Sequence, residues 1–98
     1  PGRASLIRQA PEGKDLEVAA MRNAAGDVVL FAINWESDPQ SCEVALPEGC
    51  AAQGAGFCLD SAGAVSEAQA EARQEAGELR LSLDLEGQEA RVLRFAAE

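Results

Sequence analysis

The closing segment of the chain carries the sequence pattern that most restricts its fold. Four leucines at every second position, from Leu79 to Leu85, alternate with polar or charged residues, and a second apolar run at 91–95 follows Gly87. A period of two places all four leucines on one side of a pleated strand. The segment is therefore predicted to be a strand that covers a core, and to form a β-hairpin with residues 91–95.

A second hairpin is predicted near the start of the clear pattern. Residues 16–20 alternate between apolar and other residues, residues 23–27 supply turn formers, and residues 28–35 form an apolar run. A run that is apolar on both faces is typical of a central strand covered on each side, whereas the half-polar first strand belongs nearer an edge.

Two further strands are indicated in the middle of the chain. Pro39 cannot donate to a strand ladder and breaks the chain before residues 41–46, which alternate again. Phe57 and Leu59 mark a short fourth strand. Residues 50–56 are small and rich in glycine, so they are predicted to be a loop or a loose edge.

Residues 64–76 are ambiguous between helix and strand. Their alanines suit a helix face, but several of them also alternate with polar residues, and Gly77 lies where a turn would join the segment to the leucine-rich strand. A strand is favoured. Residues 15–98 are thus predicted to form an all-β domain, an antiparallel β-sandwich of about 6–8 strands. Residues 1–14 are predicted to be a linker or a docking strand from a preceding domain.

Charge and composition exclude several classes of partner. Seventeen acidic residues against eight basic ones give a net charge of −9, which repels phosphate backbones and anionic lipid, so neither nucleic acid nor a membrane is expected as a partner. No apolar run approaches the ~18 residues that cross a bilayer. Because the chain starts at Pro1 without a methionine, we expect it to be a piece of a longer protein.

The cysteines and the lack of histidine limit the possible chemistry. Cys42, Cys50 and Cys58 are eight residues apart, unlike the short spacing of zinc sites, and histidine is absent. No metal site and no cofactor are expected, and nucleophile arrangements that need histidine are excluded within this chain. The cysteines are predicted to be small buried apolar residues, and whether two of them form a disulfide stays open.

Carboxylates near strand ends are the remaining candidates for acid and base chemistry. They are Asp60, Asp84, Glu86 and Glu89. Glycoside hydrolysis needs two such groups about 5 to 9.5 Å apart across a cleft, and a small sandwich offers no obvious cleft. A solvated face is therefore the favoured interpretation, and no catalytic residue is assigned. Arg91 and Arg94 are likewise expected to stay outside.

Trp35 is the one aromatic residue with a plausible binding role. It ends an apolar run beside a turn, and an indole face can stack on a sugar ring. Carbohydrate-binding sandwiches generally present two or more aromatics, so a place in the core or at a domain contact is favoured over sugar binding. The amide of the preceding Asn34 is predicted to form hydrogen bonds within a turn.

The order of these segments resembles the small C-terminal β domain that follows the barrel of many glycoside hydrolases, notably β-galactosidases and α-amylase-type enzymes. The resemblance rests on residues 16–46, where a Gly26-Asp27 turn precedes an apolar strand ending in Asn34, and on residues 79–95. It implies that the catalytic carboxylates lie on a preceding barrel domain of the same chain.

The resemblance therefore implies a noncatalytic accessory domain that stabilises the catalytic barrel of a glycoside hydrolase. The fragment itself is not expected to be an enzyme. Two alternatives remain: a carbohydrate-binding module that uses Trp35 to hold an oligosaccharide, and an immunoglobulin-like interaction domain present in tandem copies.

Overall fold

The computed structural model describes residues 15–98, which form two antiparallel sheets. The strands are β1 (Leu16–Arg22), β2 (Val28–Asn34), β3 (Gln40–Leu46), β4 (Cys50–Leu59), β5 (Val65–Glu71), β6 (Arg73–Glu75), β7 (Glu78–Leu85) and β8 (Ala90–Ala97). Five strands form one sheet in the order β1-β2-β8-β4-β5, and three form the other in the order β3-β7-β6. The predicted all-β antiparallel sandwich is confirmed. The prediction for residues 1–14 lies outside the described residues.

Nowhere in residues 15–98 is there a helix long and apolar enough to cross a membrane.

The predicted first hairpin is present and has a well-defined turn. Strands β1 and β2 pair from Leu16 opposite Asn34 to Arg22 opposite Val28. In the turn between them, the Asn23 side-chain oxygen accepts the amides of Ala25 and Asp27, each at 3.0 Å. As predicted, β1 is an edge strand and β2 an inner one.

The carboxylate of Asp27 ties this turn to the last strand. It accepts the backbone amide of Ala97 at 2.9 Å. That bond, with smaller contributions from the Asn23 amide and the Arg94 charge, lowers the pKa of Asp27. The turn is thus fixed both locally and by a residue 70 positions away.

The core lies between the two sheets. From the five-stranded sheet it takes Val28, Leu30, Leu93 and Phe95, and from the three-stranded sheet it takes Val44, Leu81, Leu83 and Leu85, all essentially inaccessible to solvent. The predicted inward face of the leucine-rich strand is confirmed. Burying each such side chain contributes about 1.5–3 kcal/mol.

The prediction that β7 and β8 form a hairpin is wrong. Strand β7 pairs with β3 and β6, whereas β8 pairs with β2 and β4 in the other sheet. Each strand has one apolar face, and these faces meet across the core instead of lying side by side. The connection can pass close to the loop after β2 because Gly87 has no side chain: a Cβ there would overlap the Ser37 carbonyl.

The prediction of a loop over residues 50–56 is also wrong, because these residues belong to the ten-residue strand β4. Close neighbours leave no space for larger side chains at two of these positions. A Cβ on Gly54 would lie 2.5 Å from the Phe95 ring, and one on Gly56 would overlap the Val92 carbonyl. Glycine in a strand interior often marks such an approach. A register shift between Cys50 and Gly54 also bends the strand.

Residues 65–71 and 73–75 are strands, which confirms the favoured interpretation of this segment. Strand β5 lies at the edge of the five-stranded sheet, and after the buried Ala72 the chain continues as β6 in the three-stranded sheet. Ala76 and Gly77 then adopt φ values of 53° and 85°. Two successive left-handed residues match a type I′ turn, which joins β6 and β7 as a hairpin.

Candidate functional site

The outer face of the five-stranded sheet carries the most distinctive surface of the described residues. Strands β2, β4 and β8 lie next to one another in this sheet. Because side chains alternate along a strand, those that do not enter the core point outward. Phe31, Val92 and Phe57 are directly opposite one another on the three strands. They form a row across the middle of the sheet.

This row extends into a larger apolar surface, which we call the apolar band. Its members are the exposed large hydrophobic residues Phe31, Trp35, Phe57, Leu59, Val65 and Val92. Leu59 lies two positions after Phe57 on β4 and is opposite Val65 on β5 and Ala90 on β8. These three residues form a second row next to the first. Taking about 200 Å² as the full area of a large apolar side chain, the band exposes on the order of 600 Å². On a typical monomer the largest exposed apolar patch has an area of ~300–600 Å², so this band lies at the upper end of that range.

The outer face of the three-stranded sheet has the opposite character. Arg73 forms ion pairs with Glu43 at 2.7 Å and with Glu75 at 2.9 Å, and Arg80 pairs with Glu78 at 2.7 Å. The Arg73 guanidinium lowers the pKa of Glu43 through its hydrogen bond and its charge. Exposed ion pairs of this kind are typical of a solvated surface and contribute little to stability.

Trp35 lies at one end of the apolar band and not in the core. Its side chain is 57% exposed, so the favoured prediction of a core position is wrong, while that of a domain contact remains a prediction. Its indole nitrogen donates to the Glu17 carboxylate at 2.6 Å, and its backbone amide donates to Asp15 at 2.8 Å. The first bond holds the ring across the end of β1 and leaves much of its surface accessible.

Asn34 is one of the two buried polar residues of the described chain. Its side-chain nitrogen donates to the carbonyls of Asp38 at 2.9 Å and Glu86 at 3.0 Å, and its oxygen accepts the Glu36 amide at 2.9 Å. The predicted hydrogen bonds within a turn are confirmed. The bond to Glu86 adds a link that the sequence did not indicate, because it joins β2 to the connection between β7 and β8.

Glu89 is the other buried polar residue, and it is paired with Arg91. One carboxylate oxygen accepts the Glu86 amide at 2.8 Å, and the other accepts Arg91 nitrogens at 2.9 and 2.6 Å. The prediction that both late arginines stay outside holds for Arg94, whose side chain is 66% exposed, but is wrong for Arg91, at 21%. Arg91 shares the inward-facing positions of β8, and Glu89 neutralises it there.

Two of the other strand-end carboxylates also have structural partners. Asp60 accepts the amides of Ala62 and Ala64, both at 2.9 Å, and so closes the turn before β5. Asp84 accepts the Ser41 hydroxyl at 2.6 Å across the β3–β7 pair. These bonds hold the carboxylates in the scaffold and do not form a catalytic pair.

The three cysteines are free thiols, each lying within the described residues. Cys50 is buried, and burial raises the pKa of both the Cys50 and the Cys42 thiol. Cys58 lies 3.1 Å from the Ser66 hydroxyl. Over residues 15–98, no group of three or more Cys, Asp or Glu side chains is placed to hold a metal ion.

Comparison with known proteins identifies a solved structure of similar architecture. No family model matches the sequence, and no curated protein matches it either. Among solved structures, it is similar to the crystal structure of a GH30 endoxylanase from Clostridium papyrosolvens C71, with a TM-score of 0.68 and 20% identity over 91% of this chain. This chain therefore shares its fold with the matched part of that protein.

The match covers 22% of the endoxylanase chain. This chain therefore corresponds in fold to a small part of that protein. The endoxylanase is a glycoside hydrolase, which agrees with the class of protein that the sequence resemblance indicated. It is neither a β-galactosidase nor an α-amylase, the two kinds of enzyme named there. At this level of identity, the likeness establishes a common β-sandwich architecture.

The sequence pattern of strand β2 already indicates the apolar band. Residues 28–33 are apolar on both faces, and a strand of that kind predicts a cover on each side. The three-stranded sheet covers one face. Among residues 15–98, nothing covers the other.

Proposed function

We propose that this chain is a noncatalytic β domain of a glycoside hydrolase and that its apolar band packs against the catalytic barrel of the same polypeptide. The fold shared with part of a GH30 endoxylanase supports the hydrolase context. The apolar band is the observation that carries the proposal, because residues 15–98 leave a central strand uncovered on a face that the sequence makes apolar.

The energetics favour a partner tethered in the same chain. Burying on the order of 600 Å² at about 25 cal/mol per Å² gives roughly 15 kcal/mol of gross stabilisation. Association of separate molecules costs an estimated 4–15 kcal/mol in lost freedom. A covalent link converts docking into an intramolecular step and reduces that cost. A band of this size therefore suits a permanent contact between linked domains.

The contribution of the domain is mechanical and not chemical. Three of its four candidate strand-end carboxylates are engaged by backbone amides, a hydroxyl or Arg91. The acid and base of hydrolysis are accordingly assigned to the barrel. The β domain would raise the barrel's stability by removing apolar surface of both partners from water.

The test is to place charges in the apolar band of the longer protein encoded by the natural reading frame. The double variant Phe31→Glu and Val92→Lys alters two outward residues that are opposite each other on adjacent strands, so no core residue changes and the two new charges attract each other within the sandwich. We expect hydrolase activity to be lost at a temperature lower by at least several degrees, with unchanged activity at low temperature.

A matched control is Ser82→Lys on the outer face of the three-stranded sheet, which is exposed and hydrogen-bonded only to charged surface groups. It should leave thermal inactivation unchanged. A reading frame that encodes tandem copies of this β domain and no barrel would overturn the proposal. Equal inactivation temperatures for the wild type, the double variant and the control would overturn it as well.

A further inference from the structure

A trough of different chemistry adjoins the apolar band on the same face of the five-stranded sheet. Its floor is Ala55, an exposed residue that lies between Arg94 on β8 and Gln69 on β5 in the strand register. A small residue flanked by two long ones leaves a depression. The depression has a volume of about 610 Å³, within the ~300–1,000 Å³ of ligand pockets.

The trough follows strand β4. Gln53 and Phe57 are two positions before and after Ala55 on the same strand, so at about 3.3 Å per residue its ends are roughly 13 Å apart. A second depression, lined by Phe57 and Val92, shares Ala55, Gln69 and Arg94 with the first. The two form one continuous concavity.

The walls of the trough are polar and accessible. They consist of Gln53, Gln69, Glu71 and Arg94, all of them exposed. Within the described residues, the side chains of the two glutamines and Glu71 make no hydrogen bond, and Arg94 has one long ion pair, at 3.7 Å to Asp27. The first depression therefore offers a ligand two amides, one carboxylate and one guanidinium.

We propose that this trough binds a linear, neutral oligosaccharide along strand β4. Amide and carboxylate groups present both donors and acceptors, as the hydroxyl groups of a sugar require. Glu67 lines the second depression, so the whole concavity has two carboxylates against the one guanidinium of Arg94 and would repel an anionic sugar more than a neutral one. Phe57, at one end of the trough, belongs to the apolar band, so the sugar would lie beside the contact with the barrel and be held by the polar walls.

The choice of a saccharide over a peptide rests on the proposed function, since a hydrolase domain that holds the polymer keeps its barrel near the substrate. The trough also differs from the site that the sequence suggested. Trp35 follows the end of β2 and lines neither depression. Sugar binding at the trough therefore does not depend on the indole.

The experiment titrates the 98-residue chain with linear hexasaccharides of xylose, glucose and galactose by calorimetry. Wild-type protein should bind at least one of them. Ala55→Leu fills the floor with an outward side chain, and Gln69→Ala removes an amide from one wall. Each should weaken binding at least tenfold without lowering the melting temperature, whereas Trp35→Ala should bind like the wild type.

Two outcomes overturn the inference: no binding of any of the three sugars by the wild type, or a loss of binding in Trp35→Ala that Ala55→Leu does not show. Neither outcome touches the contact between domains, which is tested by charges in the apolar band of the longer protein. Conversely, a trough that binds sugar in a chain whose reading frame encodes no barrel would separate this inference from the proposed function.

Discussion

Replacing Asn34 by alanine tests how the two sheets are joined at one end of the sandwich. The side chain is fully buried and makes three hydrogen bonds to backbone groups, at 2.9, 2.9 and 3.0 Å. Each bond contributes about 1 kcal/mol net, and a buried group left without its partner costs about 1–3 kcal/mol. We therefore expect Asn34→Ala to lower the free energy of unfolding by at least about 3 kcal/mol.

That loss is a large part of the ~5–15 kcal/mol that stabilises a typical domain. For a domain of up to 100 residues, 1 kcal/mol shifts the melting temperature by about 4–8 °C, so a fall of roughly 12–24 °C is expected. Urea unfolding followed by tryptophan fluorescence would give the free energy directly, because Trp35 is the only tryptophan of the chain.

Asn23→Ala is the matched control. Asn23 also accepts two backbone amides, but it is exposed, so water can replace the lost bonds. A cost of about 1 kcal/mol or less is expected. A second variant, Asn34→Asp, keeps the acceptor but turns the donor toward the Asp38 and Glu86 carbonyls into an acceptor. Its deficit relative to wild type should shrink as acid protonates the carboxylate.

The reasoning would be refuted if Asn34→Ala and Asn23→Ala lowered the free energy of unfolding equally. It would also be refuted if Asn34→Asp were as stable as the wild type at neutral pH, since an ionised carboxylate facing two carbonyl oxygens must be destabilising.

Three further predictions concern the strands, the first turn and the thiols. Gly56→Ala should lower the free energy of unfolding by at least about 3 kcal/mol in chemical denaturation, because the added Cβ would overlap a neighbouring backbone carbonyl. Gly63→Ala has open space but a positive φ, so it should lower that free energy by only about 1–2 kcal/mol. Equal losses for the two variants would contradict this. The pKa of Asp27 is lowered, so its stabilisation is complete above the ordinary value of 3.8 and disappears as pH falls through the lowered one. The melting temperature of Asp27→Asn should accordingly fall less than that of the wild type as the pH is lowered. An equal fall for both proteins would argue against the bond between Asp27 and the Ala97 amide. Cys50, buried and with a raised thiol pKa, should react with iodoacetamide at pH 8 more slowly than Cys58, as peptide mass spectrometry would show; the reverse order would disprove its burial.

The individual strands could be predicted from the sequence because each has its own local signal. Alternation identifies β7, and the turn residues at 23–27 identify the β1–β2 hairpin, whose pairing is local. Which strands pair across long distances has no such signal. β7 and β8 are adjacent in sequence and both have an apolar face, yet an apolar face is equally satisfied by a neighbour in the same sheet or by the opposite sheet.

Strand β4 shows a second limit. Glycine and alanine at 50–56 read as a loop because their strand propensity is low. Tertiary contacts override that propensity, since the Phe95 ring and the Val92 carbonyl occupy the space that larger side chains at Gly54 and Gly56 would need. Such a requirement depends on residues about 40 positions away and cannot be read from the local sequence.

The candidate site was predictable only in part. Trp35 stood out by residue type, but its exposure depends on the bond to Glu17, which the β1–β2 register creates. The trough residues belong to β4, β5 and β8. Their proximity follows from the strand order, which the sequence pattern does not specify.

The position of β8 has a consequence for how the domain is made. This strand is synthesised after all the others, yet it lies in the middle of the five-stranded sheet, between β2 and β4. Until Ala97 has left the ribosome, β1 and β2 can form a hairpin but cannot join the other half of their sheet. The five-stranded sheet therefore cannot be completed before β8 is available, and its folding is expected to be slowed by these long-range pairings. A domain encoded upstream would fold first and present a finished surface to the emerging sandwich.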